Sequence, residues 1–482
     1  MAGIPLRYAH LHCRLRVASS ALATNGAPTC SGSRVPRSPG SRDGTNGGGR
    51  GQASVGTSLI GCLPFGYDVA IPIGKYTLGD KRPSLAIQTN NMAIPKIFWK
   101  LFTFAFGIYA FSKFVSLGFN FLPARCYSWC IGDWLINYQG GIVRRGLTGE
   151  LFFNLSKITG IDQVTVVILF QIFIYAIFLF NSSRLAANSS FSVLNIALFL
   201  SPAFILFPIL HPAGSFRKEI LIFALLSSVC AYLLFHAKIS NFFLIMVGIS
   251  SVFLVLSHEM LIVYLPYLVI ATFSHEGGFG SKTKGVIIAI IPAMIIGFLI
   301  SILAGGNKQI VTDVCNSLGS IAPAKCVRAG AIAFLARKIS YAHQLVLRAT
   351  RGDTRIVYLL LTVLSIAPIS LILAFEKAKI IPNKEVLFWL SIIFLVPISG
   401  SALLLWVVAD YGRIIYINTV CLSLLILMAN PDRNNTPFFI NQKSIIALIL
   451  CWVFISSWQL IPYQATVEKA FPLINYLKHL LN

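Results

Sequence analysis

The chain has 482 residues, of which 56% are hydrophobic and only 11% are charged, and its formal net charge is +23. Soluble domains carry about 25% charged residues, so this composition and a mean hydropathy of +0.76 exclude an ordinary soluble protein and indicate a polytopic membrane protein. Ten of the 39 lysines and arginines lie in residues 1–91. No RNA-binding or DNA-binding motif is recognisable, so nucleic acid is not an expected partner.

Residues 1–91 differ in composition from the rest of the chain. They are rich in Gly, Ser, Arg and Pro and show no sustained helical or alternating apolar pattern, which is typical of disordered segments. Met92 is followed by Lys96 and Lys100 at the head of an apolar run, as at the natural start of a chain. We therefore predict that residues 1–91 are disordered and either a mis-assigned start or a dispensable tail. Residues 92–482 are predicted to form the membrane domain.

Apolar runs long enough to cross a hydrocarbon core of about 30 Å recur through this domain. Lipid offers no partner for backbone polar groups and no period-2 barrel pattern is visible, so the runs predict helices. The expected fold class is all-α, a polytopic transmembrane bundle of about 11 helices. The predicted spans are 95–122, 164–182, 192–210, 219–236, 240–257, 260–273, 285–304, 356–374, 386–408, 413–430 and 445–463.

One apolar run, residues 240–273, is interrupted mainly by His258 and Glu259. As a single helix it would be about 51 Å long, which no bilayer accommodates without an extreme tilt. We therefore predict two short spans joined by a tight polar turn at His258 and Glu259.

With this helix count, alternate loops share one face of the membrane. That face holds the outer loops 123–163 and 305–355, together with shorter connections around residues 211–219, 258–259 and 409–413. Its cysteines suit an oxidising exterior, and we predict a disulfide between Cys315 and Cys326, against the alternative of unpaired thiols. A positive-inside count alone would place this face in the cytoplasm, so the orientation stays open.

The segment from Asp133 to Glu150 contains two acids, two arginines and four glycines soon after the first span. Asp133 is either a helix cap or a carboxylate that accepts a proton from a hydroxyl or coordinates a metal near a phosphate. Arg144 and Arg145 follow a glycine pair and either bind phosphate oxygens or extend to lipid headgroups.

A second polar group, His211, Arg217, Lys218 and Glu219, lies between two predicted spans. Glu219 is also favoured at a helix N-terminus by the helix dipole, whatever its function. This group nevertheless has more polar residues than a short turn needs.

Two further polar pairs lie at hydrophobic turns. Ionisable groups such as His258 and Glu259 are expensive there and usually face a cavity or a partner. Asp410 and Arg413 either contribute to a site or simply pair with each other.

This arrangement resembles the GT-C class of integral-membrane glycosyltransferases over residues 92–463. In that class an external loop after the first helix carries an essential acid, matched here by Asp133. A later loop carries a second polar motif, matched here by Arg217, Lys218 and Glu219. The chain departs from the class in having Glu219 in place of an aspartate pair, and in lacking a sizeable soluble C-terminal domain.

The resemblance implies transfer of a sugar from a polyprenyl-phosphate-linked donor to an acceptor at the outer face of a bacterial inner membrane, in surface polysaccharide synthesis. Loop 305–355 would cover the donor headgroup, and its amphipathic stretch from Ala331 to Leu347 would lie along the membrane interface. The implied catalytic residues are Asp133, Glu219, His258 and Glu259. The implied substrate-binding residues are Arg144, Arg145, His211, Arg217, Lys218, Asp410 and Arg413.

The partners implied by the resemblance are membrane lipids and the polyprenyl-linked sugar donor. It implies no definite cofactor and leaves a divalent metal ion open, and nothing in the sequence indicates an oligomeric state. The alternative functions are a polysaccharide polymerase or ligase, a transporter or lipid flippase, and a non-catalytic membrane subunit.

Overall fold

A computed structural model describes residues 92–94, 96–121, 123, 126–236, 238–323, 325–375, 384–431, 438–440, 442–473 and 476. The prediction for residues 1–91 therefore lies outside the described residues. Two three-residue strands, β1 (Met92–Ile94) and β2 (Phe438–Ile440), pair in antiparallel fashion.

The rest of the described fold is built from helices. The main α-helices, in chain order, are α1 (Lys96–Asn120), α2 (Gly146–Thr159), α3 (Gln163–Asn188), α4 (Val193–Phe199), α5 (Ile220–Phe235), α6 (Asn241–Ser257), α7 (Pro266–Glu276), α8 (Ser281–Leu303), α9 (Lys308–Ser317), α10 (Ile339–Ala349), α11 (Thr354–Phe375), α12 (Lys384–Leu404), α13 (Tyr411–Ala429) and α14 (Gln442–Ser457). Shorter helical turns connect them at Tyr127–Ile131, Gly132–Trp134, Phe207–Leu210, Pro212–Ser215, Glu259–Tyr264, Gly319–Ile321, Ala333–Ala336 and Val467–Ala470.

Five of these helices, α1, α3, α8, α11 and α13, are long and apolar enough to cross a membrane. Four others, α5, α6, α12 and α14, are apolar but shorter over their described residues. The all-α fold class is therefore confirmed, and the five long apolar helices indicate a multi-pass integral membrane protein. Which membrane contains it stays a prediction, as does the count of about eleven spans.

Two predicted spans are wrong as continuous helices. Residues 192–210 form only α4, which ends at Phe199, followed by turns and short helical segments. Prolines at positions 202 and 208 explain this break, because proline lacks the N–H that a continuous helix needs.

The second correction concerns residues 260–273. They form a 3-10 turn, Glu259–Tyr264, followed by α7, whose 11 residues are about 16 Å long and too short to cross a bilayer. The predicted interruption is present, because His258 has an extended backbone with φ −159° and ends α6.

Aromatic side chains hold the long helices together. Helix α1 packs along α3, and α3 packs along α5. At this junction the Phe114 ring lies between Tyr175 and Phe216, with ring centroids 3.6 Å and 4.0 Å away. Near the other end of α1, the indole Nε1 of Trp99 donates to the Ala186 carbonyl at 2.8 Å. These helices form a rigid support for the loops at one end.

Loops 123–163 and 305–355 dock on each other. The Tyr127 hydroxyl donates to the Ile321 carbonyl at 2.6 Å, and the Ala331 amide donates to the Ser128 carbonyl at 3.0 Å. Gly140 packs so closely on α9 that a Cβ there would lie 2.8 Å from the Ile310 carbonyl oxygen. Loop 123–163 is therefore held against loop 305–355, although they are far apart in the sequence.

Candidate functional site

A cavity of about 710 Å³ lies where loops 123–163 and 305–355 meet the ends of α6, α12 and α13. Eight of the residues proposed from the sequence line it: Asp133, Arg144, Arg145, Arg217, His258, Glu259, Asp410 and Arg413. The sequence positions of these residues span most of the membrane domain, and the fold brings them to one place.

Asp133 lies in the helical turn Gly132–Trp134 and is only 1% exposed. Neither of its carboxylate oxygens has a hydrogen-bond partner among the described residues, and the nearest cation, Arg145 Nη1, lies 3.8 Å from Oδ1. Burial alone would raise the pKa of Asp133, but the charges of Lys218 and Arg145 contribute to lowering it to about 2. The carboxylate is therefore ionised at neutral pH and can accept hydrogen bonds from a ligand.

Arg145 forms three hydrogen bonds with Glu259, which lies in the turn after α6. Its Nε donates to the two carboxylate oxygens at 3.0 and 2.9 Å, and its Nη2 donates to Oε1 at 2.8 Å. Burial opposes both charges, but Glu259 raises the pKa of Arg145 above its usual value and Arg145 lowers that of Glu259. Both groups therefore stay charged, and the pair ties loop 123–163 to the end of α6.

The close packing of α2 on the chain that follows Asp133 depends on a glycine. A Cβ at Gly149, in the first turn of α2, would overlap the Ile136 carbonyl, so only glycine lets α2 pack against the chain that follows Asp133. Arg145 itself precedes α2 and has φ 70°, the left-handed region that disfavours a residue with a side chain.

His258 is 2% exposed and lines the same end of the cavity. Its Nδ1 lies 3.7 Å from Glu259 Oε2 and has no hydrogen-bond partner among the described residues. Burial, followed by the charge of Arg145, lowers the pKa of His258 to about 3. The imidazole is therefore neutral and retains hydrogen-bonding capacity for a ligand.

Arg413 joins two acids at the floor of the cavity. Its Nη1 donates to Asp410 Oδ2 at 2.8 Å, and its Nη2 donates to Glu219 Oε1. The simple pairing of Asp410 with Arg413 is thus present, and Glu219 extends it to the head of α5. Glu219 is 4% exposed and lies behind the lining residues.

Two other predicted binding residues also lie outside the cavity lining. Lys218 is fully buried, and its Nζ donates to the Arg145 carbonyl at 2.9 Å. His211 stands next to Phe207, with ring centroids 5.6 Å apart, and burial lowers its pKa to about 4. The predicted disulfide partners Cys315 and Cys326 are bonded to each other, and a second bridge joins Cys126 to Cys130.

Positive charge dominates the cavity. Six cationic side chains line it, namely Arg144, Arg145, Arg217, Arg337, Lys338 and Arg413, against three acids, Asp133, Glu259 and Asp410. In the part of the chain that the structure describes, four of the six have no acidic side chain within 4 Å: Arg144, Arg217, Arg337 and Lys338. Arg217 is oriented instead by a 3.0 Å hydrogen bond to the Trp129 carbonyl. The excess positive charge favours an anionic ligand.

One side of the cavity is apolar. Ile262 and Val263 contribute from the turn after α6, and Leu404, Val407 and Val408 contribute from the end of α12 and the turn beyond it. A cationic pocket with an apolar wall, at the end of membrane helices, suits an amphiphile with an anionic headgroup.

The sequence interpretation did not single out several lining residues. Arg337, Lys338 and Tyr341 belong to the amphipathic stretch from Ala331 to Leu347 but were not named individually. Pro462 and Tyr463 had no sequence signal. They reach the cavity because Gly412, whose Cβ would overlap the Ile461 carbonyl, lets the chain after α14 approach α13.

The donor set does not fit a divalent metal ion. Among the described residues, no group of three or more His, Cys, Asp or Glu side chains could hold a metal. The nearest combination is Asp133, His258 and Glu259, but the Arg145 guanidinium is bonded to both oxygens of Glu259 and lies 3.8 Å from Asp133.

No family model, no curated protein and no solved structure matches this chain. The fold and the site define the class at a coarser level. Over its described residues, the chain is a helical protein with five candidate membrane-spanning helices. Its principal polar residues line a cationic cavity at one end of those helices.

Proposed function

We propose that the chain is a membrane glycosyltransferase that moves a sugar from a polyprenyl-phosphate-linked donor to an acceptor hydroxyl. The cavity carries this proposal, because it combines three features that such a reaction needs. These are an ionised carboxylate with free acceptor oxygens, cations without acidic partners, and an apolar wall beside membrane helices. The outer face of a bacterial inner membrane remains part of this proposal.

The donor phosphate would bind to the cations that have no acidic partner. Arg144 and Arg217 present guanidinium groups to the cavity, and Arg337 and Lys338 lie at its exposed rim. A guanidinium group can donate two parallel, charge-assisted hydrogen bonds to two oxygens of one phosphate. The prenyl chain would lie along the apolar wall that includes Leu404.

The reaction forms a bond between the acceptor oxygen and the anomeric carbon of the sugar. The bond between that carbon and the phosphate oxygen breaks, and its electron pair leaves with polyprenyl phosphate. The acceptor hydroxyl donates a hydrogen bond to Asp133 and passes its proton to this carboxylate as the new bond forms. Because the pKa of Asp133 is about 2, proton transfer becomes favourable only late, when the attacking oxygen is already acidic.

The other predicted catalytic residues take supporting roles in this proposal. Glu259 holds the Arg145 guanidinium, and Glu219 holds that of Arg413. The neutral imidazole of His258 can bind a sugar hydroxyl through Nδ1, which has no partner of its own. Arg144 and Arg217 stabilise the charge that develops on the departing phosphate.

The test uses purified protein in lipid nanodiscs and a panel of polyprenyl-phosphate sugars and polyprenyl-pyrophosphate glycans, each offered with hydroxyl acceptors. Release of the polyprenyl carrier is measured by mass spectrometry. We expect a polyprenyl-phosphate sugar to be consumed, and Asp133→Asn to lower the rate by about 100-fold or more. The matched control is Asp353→Asn, which changes an exposed acid outside the cavity lining and leaves the rate unchanged.

The same panel separates the alternatives. Consumption of only pyrophosphate-linked glycans identifies a polymerase or ligase, to which the four cations without acidic partners are also suited. Movement of a lipid across the bilayer of sealed proteoliposomes, without any change in its covalent structure, identifies a flippase. Either result, or full activity of Asp133→Asn, overturns the glycosyltransferase proposal.

A further inference from the structure

Lys218 is a buried cation that does not reach the cavity. Its side chain is 0% exposed, and it is absent from the cavity lining, whereas its neighbour Arg217 is part of that lining. Burying an ammonium group is costly unless hydrogen bonds and opposite charge compensate it. The contacts of Lys218 show what its burial achieves.

The ammonium holds a backbone turn that is otherwise unfavourable. Lys218 Nζ donates to the Arg145 carbonyl at 2.9 Å, and Arg145 has φ 70°. A residue with a side chain keeps this conformation only where the surroundings impose it. The next residue, Gly146, packs against Tyr138 so closely that a Cβ there would overlap the ring. The turn is thus fixed by Tyr138 on one side and by Lys218 on the other.

The same ammonium balances the charges at the inner end of the cavity. Asp133 and Glu259 carry two negative charges, and Arg145 and Lys218 carry two positive charges. The Trp134 ring, next to Asp133 in the chain, lies 5.8 Å from Lys218 Nζ. Without Lys218, the three remaining groups would have a net negative charge, which would weaken the binding of an anionic ligand.

We infer that Lys218 is a positioning residue, whose ammonium fixes the Arg145 turn and so places the Arg145 guanidinium between Asp133 and Glu259. Its consequence for sugar transfer rests on the proposed function, whereas its effect on the turn does not. The inference replaces direct substrate binding, predicted from the sequence, by an indirect role.

The first experiment measures hydrogen exchange of the amides of residues 146–153 in nanodiscs at pH 7. Lys218→Met removes the charge and the donor but keeps an unbranched apolar side chain. We expect exchange in this segment to become at least about tenfold faster, because the lost hydrogen bond comes from a charged group. Exchange in α8 is expected to stay unchanged, as is exchange in both segments of the control variant Lys308→Met, which alters an exposed lysine outside the cavity.

A second measurement follows the ligand affinity of the unchanged chain as the pH is varied. It therefore does not require Lys218→Met to fold. Burial lowers the pKa of Lys218 to about 8, while Asp133 and Glu259 act to raise it and Arg145 acts to lower it further. The ammonium is therefore lost as the pH rises through about 8. Because the pKa is lower in the folded chain than in the unfolded chain, this loss of a proton does not destabilise the fold.

The probe for the pH measurement is citronellyl phosphate, a short isoprenoid monophosphate. We expect its affinity for the unchanged chain to fall at least about fivefold between pH 7 and pH 9.5, with no fall in the unfolding temperature. Lys218→Arg, which stays charged over this range, is expected to keep its affinity. A purely structural lysine would not produce this difference.

The outcomes distinguish the inference from the proposed function. Unchanged exchange in Lys218→Met overturns the positioning role. If the variant also exchanges rapidly in α8, the fold is lost and the pH measurement decides: an affinity that is flat with pH, or that falls equally in Lys218→Arg, overturns it. Faster exchange of the turn, with no sugar transfer from any donor, supports the positioning role and defeats the glycosyltransferase proposal. Sugar transfer that is equally fast in Lys218→Met supports the glycosyltransferase proposal and defeats the positioning role.

Discussion

Breaking the ion pair between Arg145 and Glu259 is expected to destabilise the protein substantially. The Glu259 side chain is 8% exposed and that of Arg145 is 24% exposed, and three short hydrogen bonds join them. Removing one partner of a buried ion pair costs about 3 to 5 kcal/mol, because the other charge is left uncompensated. Partial exposure of Arg145 and its proximity to Asp133 reduce this cost. We expect about 2 to 4 kcal/mol for Glu259→Ala.

The assay is a double-mutant cycle that uses Glu259→Ala, Arg145→Ala and the double variant. Unfolding free energies are measured in mixed micelles of a mild detergent and an unfolding detergent. Because each single variant leaves a buried charge unpaired, the double variant should be less destabilised than the sum of the single variants. We expect a coupling free energy of at least about 1.5 kcal/mol. The matched control is the cycle between Gln309 and Asp313, whose hydrogen bond is exposed and four residues apart in sequence.

A coupling free energy below about 0.5 kcal/mol, the usual limit for independent sites, would refute the reasoning. It would mean that the two side chains do not meet in the folded protein, or that water compensates each charge separately. In either case this pair would not tie loop 123–163 to the end of α6.

Three further predictions concern a disulfide, a close packing contact and a titration. Cys315→Ser, which opens an 11-residue disulfide loop, should lower stability by about 2 to 3 kcal/mol and increase hydrogen exchange in α9. Gly412→Ala should cost at least about 1 to 3 kcal/mol, because the added Cβ overlaps the Ile461 carbonyl, whereas Gly305→Ala, with open space around it, should be nearly neutral in thermal unfolding. Burial lowers the pKa of His258 in the folded chain to about 3, against an ordinary value of 6.5. The unfolded chain therefore binds a proton first as the pH falls, and stability should decrease below pH 6.5. His258→Gln should reduce this slope between pH 6.5 and 4.5, and an unchanged slope would contradict a buried neutral imidazole.

The membrane class and most ionisable residues of the cavity could be predicted from the sequence for a physical reason. Ionisable side chains are costly at hydrophobic turns, so Asp133, His258 and Arg413 stand out against an apolar background. Alternation of helices then predicts which turns share an end of the bundle, and the structure brings these three residues to one cavity.

The finer geometry could not be predicted in the same way. A sequence pattern does not distinguish Arg217, which faces the cavity, from Lys218, which is buried behind it, because that difference depends on the rotation of one short turn. The contact between Gly412 and the chain at Ile461 depends on tertiary approach alone. The hydropathy pattern also predicted a continuous helix over residues 192–210, which is wrong. Hydropathy does not show where prolines interrupt a helix.

The order of charges along the cavity determines how an amphiphile can bind. The inner end holds Asp133, Glu259 and the neutral His258, all buried, whereas Arg337 and Lys338 are exposed at the rim. At the inner end, Arg145 and Lys218 only balance the charges of Asp133 and Glu259, whereas a phosphate near the rim meets cations without acidic partners. Hydroxyl groups have the opposite preference, because they can donate to the unbonded oxygens of Asp133. The ligand is therefore expected to enter with its hydroxyl-bearing end first and to keep its phosphate near the membrane surface.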